Sequence, residues 1–161
     1  MRIGVCPGSF DPVSNGHLDI FLRSSKMFDL VIAAVFHNPN KKPLFTMEER
    51  VDMLTLATQG IPNIKVDSFS GLLNDYVRRQ NSTFIVRGLR ALSDFEYEFQ
   101  RALLIKKIDP DMETIFMMTS SDYSFISSSG IKELARFGGP ITGLVPACLE
   151  EKIVKRIREK S

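Results

Sequence analysis

Cysteine is scarce in this chain. Cys6 and Cys148 are the two present in 161 residues. They lack the paired spacing of a zinc site or a redox dithiol and are read as reduced, partly buried thiols. Long apolar runs are missing too. No stretch approaches the roughly 20 consecutive apolar residues that a bilayer span needs, which excludes a membrane helix. The opening Met1-Arg2-Ile3-Gly4-Val5-Cys6-Pro7 passes straight into a strand-like run, without the apolar region and small-residue cleavage site of a secretory leader. A cytosolic location is expected. Charge of one sign is likewise not in excess. Twenty-one Lys and Arg face nineteen Asp and Glu, for a formal net charge of +2, so composition offers no general attraction to nucleic acid. Any phosphate binding has to come from locally placed cations. Repeats, low-complexity tracts and linker-like shifts in composition are absent, which points to a single domain over residues 1–161 with enough chain to bury a core.

The sequence does contain short β-rich runs, at Ile3–Cys6, Leu30–Phe36, Ile64–Ser68, Thr83–Val86 and Thr114–Met118, each separated from the next by helical spacing. That alternation predicts a parallel α/β sheet. Leu30–Phe36 is apolar at every position, as expected of a strand covered on both faces in mid-sheet. Thr46-Met47-Glu48-Glu49 and Ser93-Asp94-Phe95-Glu96 read as capping boxes that start helices. Gly60 and Gly138-Gly139 are suitable helix stops, and Pro110, Pro140 and Pro146 break the later chain into short pieces. From Leu149 to Ile157 the apolar residues fall on one face of a closing helix.

Ligands of open α/β sheets bind at the carboxyl ends of the strands. Four of the five expected strand ends carry groups suited to polyphosphate. The first is Pro7-Gly8-Ser9-Phe10-Asp11-Pro12-Val13-Ser14-Asn15-Gly16-His17, a glycine-containing turn leading into a helix near His17, where backbone N–H groups can face an anion. The second is Asn38-Pro39-Asn40-Lys41-Lys42-Pro43, with two cations. The fourth is Arg87-Gly88-Leu89-Arg90, whose guanidinium groups suit phosphate oxygens. The fifth runs from Ser120 to Ser129 and places three hydroxyls at a helix start. Taken singly, each has a plainer reading as a cap, a turn or solvated surface. Their shared address at strand ends favours a polyphosphate site.

At these residues the sequence resembles the phosphopantetheine adenylyltransferase family of the nucleotidyltransferase superfamily. The matching segments are Pro7–Pro12, Ser14-Asn15-Gly16-His17, Lys41-Lys42-Pro43, Phe45-Thr46 with Glu48-Glu49-Arg50, Val86–Arg90, Asp94-Phe95-Glu96-Tyr97-Glu98 and Tyr123–Ser129. Ser14-Asn15-Gly16-His17 alone indicates only the superfamily, whereas Arg87-Gly88-Leu89-Arg90, Asp94–Glu98 and the triple serine Ser127–Ser129 together are specific to the family. The resemblance implies a Rossmann-like, doubly wound α/β domain with five parallel strands and flanking helices. It implies transfer of AMP from ATP to 4′-phosphopantetheine with Mg²⁺, in a homohexamer, with coenzyme A as a feedback inhibitor. It further implies catalytic roles for His17, Lys41 and Arg90. ATP contacts are implied at Ser9, Phe10, His17, Arg87, Gly88, Arg90, Glu98, Tyr123, Ser124, Ser127, Ser128 and Ser129. Acceptor contacts are implied at Ser9, Lys41, Leu72, Leu73 and Arg87, and no protein metal ligand is expected.

Such a reaction needs no side-chain nucleophile, because the acceptor phosphate is already an anion, and the protein supplies positioning and charge stabilisation. Mg²⁺ can bridge phosphate oxygens without a carboxylate cage. Ser14 stands where Thr is usual in the family, and Ser9 where Thr or Ser is found. Ile105 replaces an Asn that helps bind pantetheine, removing a polar contact worth about 1 kcal/mol. Rival readings are a related transferase acting on nicotinamide mononucleotide, a non-catalytic nucleotide sensor, and a Ser/His hydrolase. The hydrolase is disfavoured because Ser9 lacks a Gly-x-Ser-x-Gly elbow and no acid is evident to orient His17. His37 is read as structural or peripheral, and Asp94 and Glu96 as residues that favour the helix dipole.

Overall fold

The computed structural model describes residues 1–39 and 42–160, apart from the side chains of Leu92 and Ser93. Strands β1 (Ile3–Gly8), β2 (Leu30–Phe36), β3 (Ile64–Phe69), β4 (Phe84–Leu89) and β5 (Glu113–Met118) alternate with helices α1 (Asn15–Ser25), α2 (Met47–Thr58), α3 (Leu73–Arg79) and α4 (Leu92–Ile108). Helices α5 (Ser128–Arg136) and α6 (Glu150–Glu159) close the chain. The strands form one parallel sheet in the order β3-β2-β1-β4-β5. Winding therefore reverses between β1 and β4, and the fold is the expected doubly wound sheet. No helix among the described residues is long and apolar enough to cross a membrane.

The pleat of β2 shows why its run is apolar throughout. Val31, Ala33 and Val35 pack under Phe21 of α1, Leu54 of α2, Ile131 of α5 and Ile153 of α6. Ile32 and Ala34 face the opposite layer with Tyr76 and Val77 of α3. The strand is interior as expected, although β1 holds the centre.

Proline in a central strand normally weakens it. Here Pro7 sits where the weakening has a use. Strand β1 pairs with β2 along its whole length, from Ile3 to Gly8, but with β4 only at Gly4 and Val5. Beyond Val5 the two strands part, and Pro7 has no N–H to offer across the gap. The crevice at the winding reversal is this parting.

Several elements differ from the sequence reading. Strand β4 runs on through Arg87, Gly88 and Leu89, paired with Phe116, Met117 and Met118 of β5, so Arg87 and Gly88 are strand residues and not loop residues. Helix α4 starts at Leu92 from an N-cap at Ala91 that makes no side-chain cap bond. Ser93 thus lies inside the first turn, its side chain outside the described residues. The expected helix start at Ser93 is thus displaced to Ala91, and Asp94 turns back to accept from the Arg90 backbone N–H. Cys6 is buried but Cys148 is exposed, because the short 3₁₀ turn Ala147–Leu149 directs Leu149 inward instead.

The Thr46–Glu49 capping box forms as expected: Thr46 Oγ1 accepts from the Glu49 N–H and Glu49 Oε2 from the Thr46 N–H. The same carboxylate receives both terminal nitrogens of Arg156 on α6, whose guanidinium lies 5.0 Å from the Phe45 ring centre. One residue thus starts α2 and docks the last helix. The Arg156 hydrogen bond, and then the Thr46 N–H, lower the Glu49 pKa to about 2 from an ordinary 4.5. A carboxylate held more acidic in the folded state adds stability above its unfolded pKa and loses it as pH falls through the folded one. Glu49→Gln is expected to destabilise the protein by about 1 kcal/mol at neutral pH. In chemical denaturation the gap to wild type closes between pH 4.5 and pH 2; a gap independent of pH would contradict the assignment.

Candidate active site

The crevice between β1 and β4 holds a cavity of about 470 Å³, floored by Cys6–Gly8 and Val86–Gly88 and walled by α1, α4 and the Ile126–Ser129 segment. Arg87 reaches across the parted strands, its Nη1 donating to the Pro7 carbonyl at 2.9 Å. Its Nε lies 3.4 Å from Oε2 of Glu98 on α4. Both side chains are largely buried, so the carboxylate offsets much of the cost of placing a guanidinium there. Burial lowers the Arg87 pKa, and the Glu98 charge opposes that. Cys6 also borders the cavity, but burial lifts its thiol to about 12, so it stays protonated and inert.

His17 enters from the first turn of α1. Ser14 is the N-cap, its Oγ accepting from the His17 N–H at 3.3 Å, while the Ser14 N–H donates to Nδ1 of the ring at 3.0 Å. A backbone N–H can only donate, so Nδ1 accepts and the ring proton resides on Nε2. This tautomer follows from the bonding pattern. Burial, and secondarily the Arg90 charge, push the His17 pKa down to about 4. At neutral pH the ring is an uncharged Nε2–H donor facing the cavity. It is suited to hold an anionic oxygen, and no carboxylate among the described residues bonds to it to make a strong base. The Phe10 ring packs edge-on against it, centroids 5.0 Å apart.

Arg90, at the end of β4, is bound by Asp94 on α4 through Nε at 3.0 Å and Nη2 at 3.3 Å, and its Nη1 donates to the Ile126 carbonyl at 3.0 Å. One N–H remains on each terminal nitrogen. Beside it Ser127 caps α5, its Oγ accepting from the Gly130 N–H, and Ser128 Oγ donates to the Pro12 carbonyl. Ser127, Ser128 and Ser129 all border the cavity at the N-terminus of α5, where backbone N–H groups favour an anion.

A side cavity of about 160 Å³ shares Ser128 and Ser129 with the main one and is further bordered by Ser9, Asp11, His37, Lys42, Arg50 and Lys132. Asp11 ties its walls together: it accepts from the Leu44 and Phe45 N–H groups and pairs with Lys132 at 3.3 Å.

The structure therefore assembles Phe10, His17, Arg87, Gly88, Arg90, Glu98, Ser127, Ser128 and Ser129 around one cavity and places Ser9 in its annex. Lys41 lies outside the described residues. Tyr123 and Ser124 border neither cavity: Tyr123 packs on the core beside Gly16, and Ser124 bonds to the Ser121 carbonyl. Leu72 and Leu73 stand apart at the start of α3, Leu72 exposed and Leu73 packed on the α3–α4 side of the sheet. Ile105 packs on that same side, and its carbonyl accepts from Asn74. Sequence reasoning missed Asp94 as the partner that orients Arg90, although the i, i+4 spacing of acid and base was visible. It also left out Arg50 and Lys132, which reach the site from helices whose placement no local pattern reveals. His37, read as structural or peripheral, borders the annex.

Because the folded pKa of His17 is depressed, its ring is expected to stay neutral down to about pH 4 while the unfolded chain binds a proton near 6.5. Its contribution to stability is complete above 6.5 and is lost progressively as pH falls below that value. Nitrogen NMR on labelled imidazole checks both points: the His17 ring should show a proton-free Nδ1 and a protonated Nε2, with no titration between pH 8 and pH 5. A midpoint near 6.5 would remove the tautomer argument.

Comparison with known proteins gives the same chemistry a family. The Cytidylyltransferase-like family model matches residues 5–134. The chain is 53% identical over 160 residues to the phosphopantetheine adenylyltransferase of Clostridium tetani, covering 99% of this chain and all of that protein. It is 54% identical over 160 residues to the phosphopantetheine adenylyltransferase of Carboxydothermus hydrogenoformans, covering 99% of each. Among solved structures, a Vibrio parahaemolyticus chain assigned as a nicotinate-nucleotide adenylyltransferase superposes with a TM-score of 0.73 over 100% of this chain and 98% of its own. Its identity of 16% makes that a likeness of fold alone. With a family model over most of its length and relatives above half identical from end to end, the chain belongs to the phosphopantetheine adenylyltransferase family.

Proposed function

We propose that the chain transfers the adenylyl group of ATP to 4′-phosphopantetheine, forming dephospho-coenzyme A and pyrophosphate. The observation that carries this reading is His17, fixed as a neutral Nε2–H donor over a crevice that also holds Arg87, Arg90 and the α5 N-terminus. An oxygen of the acceptor phosphate attacks the α-phosphorus. As that P–O bond forms, the bond to the bridging oxygen breaks and its electron pair departs with pyrophosphate. No proton has to move, since the acceptor is already an anion, which fits a histidine whose Nδ1 is committed to the backbone. Charge on the non-bridging α-oxygens meets the His17 N–H, and the two free N–H groups of Arg90 meet the β- and γ-phosphates. Arg87, held by Glu98 and Pro7, and Ser9 face the reacting phosphates, and Lys41 is assigned to the acceptor side.

ATP enters as its magnesium complex in this reading. Among the described residues no group of three or more His, Cys, Asp or Glu side chains could hold a metal. The two acids bordering the main cavity, Asp94 and Glu98, are already engaged with arginines. A magnesium ion entering with ATP would be carried by the nucleotide's phosphates and would supply charge neutralisation there. The reaction belongs in the cytoplasm, and coenzyme A, which shares the product's pantetheine and adenylyl parts, fits the same site as an inhibitor.

Purified protein with magnesium-ATP is expected to release pyrophosphate with 4′-phosphopantetheine, and not with nicotinamide mononucleotide or without acceptor. Release with none of these would favour a nucleotide sensor. His17→Ala is expected to lower kcat by about 10²-fold while ATP affinity changes only a few-fold, because the contact strengthens in the transition state. Loss of affinity at unchanged kcat would contradict that role.

A homohexamer is the proposed assembly. Helix α4 leaves Phe95, Phe99, Leu103, Leu104 and Ile108 exposed, and Met118 of the edge strand β5 is exposed as well. An apolar surface of that kind on a small domain calls for a cover. Sedimentation is expected to give six copies, and Leu103→Glu to yield smaller species; a monomeric wild type would refute the assembly.

A further inference from the structure

Arg50 of α2 is the least exposed cation among the described residues, with 3% of its surface exposed. Burial of a charge is expensive unless it is paired, and the described residues place no carboxylate within ion-pair distance of it. What surrounds it instead is backbone. Its Nη1 donates to the carbonyls of Ser9 at 2.8 Å and Phe36 at 3.4 Å, and its Nε donates to the Thr46 carbonyl at 3.3 Å. Ser9 follows β1 and Phe36 ends β2, so these two carbonyls lie where the neighbouring strands run out of ladder partners. Burial depresses the Arg50 pKa, opposed by Asp11, yet a guanidinium keeps its proton.

From Ser9 the constraint passes to the next residue. Phe10 is held at φ 47°, a left-handed conformation that a bulky side chain rarely adopts and that its surroundings must enforce. That conformation lays the Phe10 ring against Gly8, where a Cβ would fall 2.7 Å from the ring, and edge-on against His17.

We infer that Arg50 is a positioning residue for adenylyl transfer: by clamping the Ser9 carbonyl it fixes the turn through Phe10, and through the Phe10 ring it sets the orientation of His17. The inference rests on the proposed reaction but can fail independently of it. Lysine offers a flexible point charge in place of a planar fork and cannot reach three carbonyls on three segments in the same geometry.

Arg50→Lys is expected to lower kcat by about 10²-fold, as for a catalytic group displaced by a fraction of a bond length, with KM for ATP within about threefold of wild type. Arg50→Ala is expected to lose more and to regain at least about tenfold in kcat when guanidinium ion at millimolar concentration fills the vacated space. Nitrogen NMR of His17 supplies a readout free of substrate: the proton-free Nδ1 signal is expected to broaden or average with Nε2 in Arg50→Ala and to sharpen again with guanidinium. If Arg50→Ala does not fold, Arg50→Lys carries both the kinetic and the spectroscopic measurement. Wild-type kcat in Arg50→Lys, or an unchanged His17 pattern in a folded variant, would overturn the inference. A wild type that releases no pyrophosphate, while its imidazole signals still depend on Arg50, would sink the proposed reaction and uphold only the orientation of His17 by Arg50.

Discussion

A parallel sheet has to end, and at its carboxyl edge the backbone groups of each strand lose the partners that the ladder supplied. Two of the arginines at this site answer that constraint. The parting of β1 from β4 after Val5 leaves the Pro7 carbonyl facing a gap, and Arg87 fills it. The divergence of β1 and β2 leaves the Ser9 and Phe36 carbonyls, and Arg50 satisfies both. At the far side the Thr119 N–H continues the ladder to Leu89 for one more step before the chain turns toward the serines. Cations drawn in to satisfy backbone acceptors thus become the cations that border a phosphate-sized crevice.

The arginines are also kept in place by acids, and this tunes the site. Glu98 with Arg87, and Asp94 with Arg90, form pairs in which the carboxylate fixes a guanidinium that would otherwise lose several rotatable bonds on meeting a ligand. Pre-ordering of this kind costs folding stability and returns it as binding geometry. His17 follows the same logic without an acid. Its ring is oriented by a backbone N–H and kept neutral by burial, so it offers a single donor, where a carboxylate partner would have made it a base.

Helix caps link the site to the core. The Ser14–His17 box starts α1 and aims the imidazole with the same two hydrogen bonds, and the Thr46–Glu49 box starts α2 and receives Arg156 from the last helix. Helix α2 in turn carries Arg50, so the docking of α6 on α2 stands behind the turn at Ser9 and Phe10. Stability of the C-terminal helix and geometry of the crevice are in this way connected through α2.

The sequence alone determined the alternation of strands and helices, since short β-rich apolar runs, helical spacing and the Thr46–Glu49 capping box are local signals. It also determined which residue types crowd the strand ends, and Ser14-Asn15-Gly16-His17 could be read as a helix start bearing a histidine. Three things were decided only by tertiary structure. Strand β4 reaches Leu89 because β5 pairs with it there; Arg87 and Gly88 have no strand propensity that would announce this. Helix α4 begins before its apparent box, from Ala91, and Asp94 in its first turn is held by Arg90 from the short link after β4. Arg50 looks like the polar side of an ordinary amphipathic turn, and its burial against two strand ends follows from how α2 lies across the sheet. Local sequence fixes hydrogen bonds within a turn; the partners of groups left over at strand ends are chosen only when distant segments pack together.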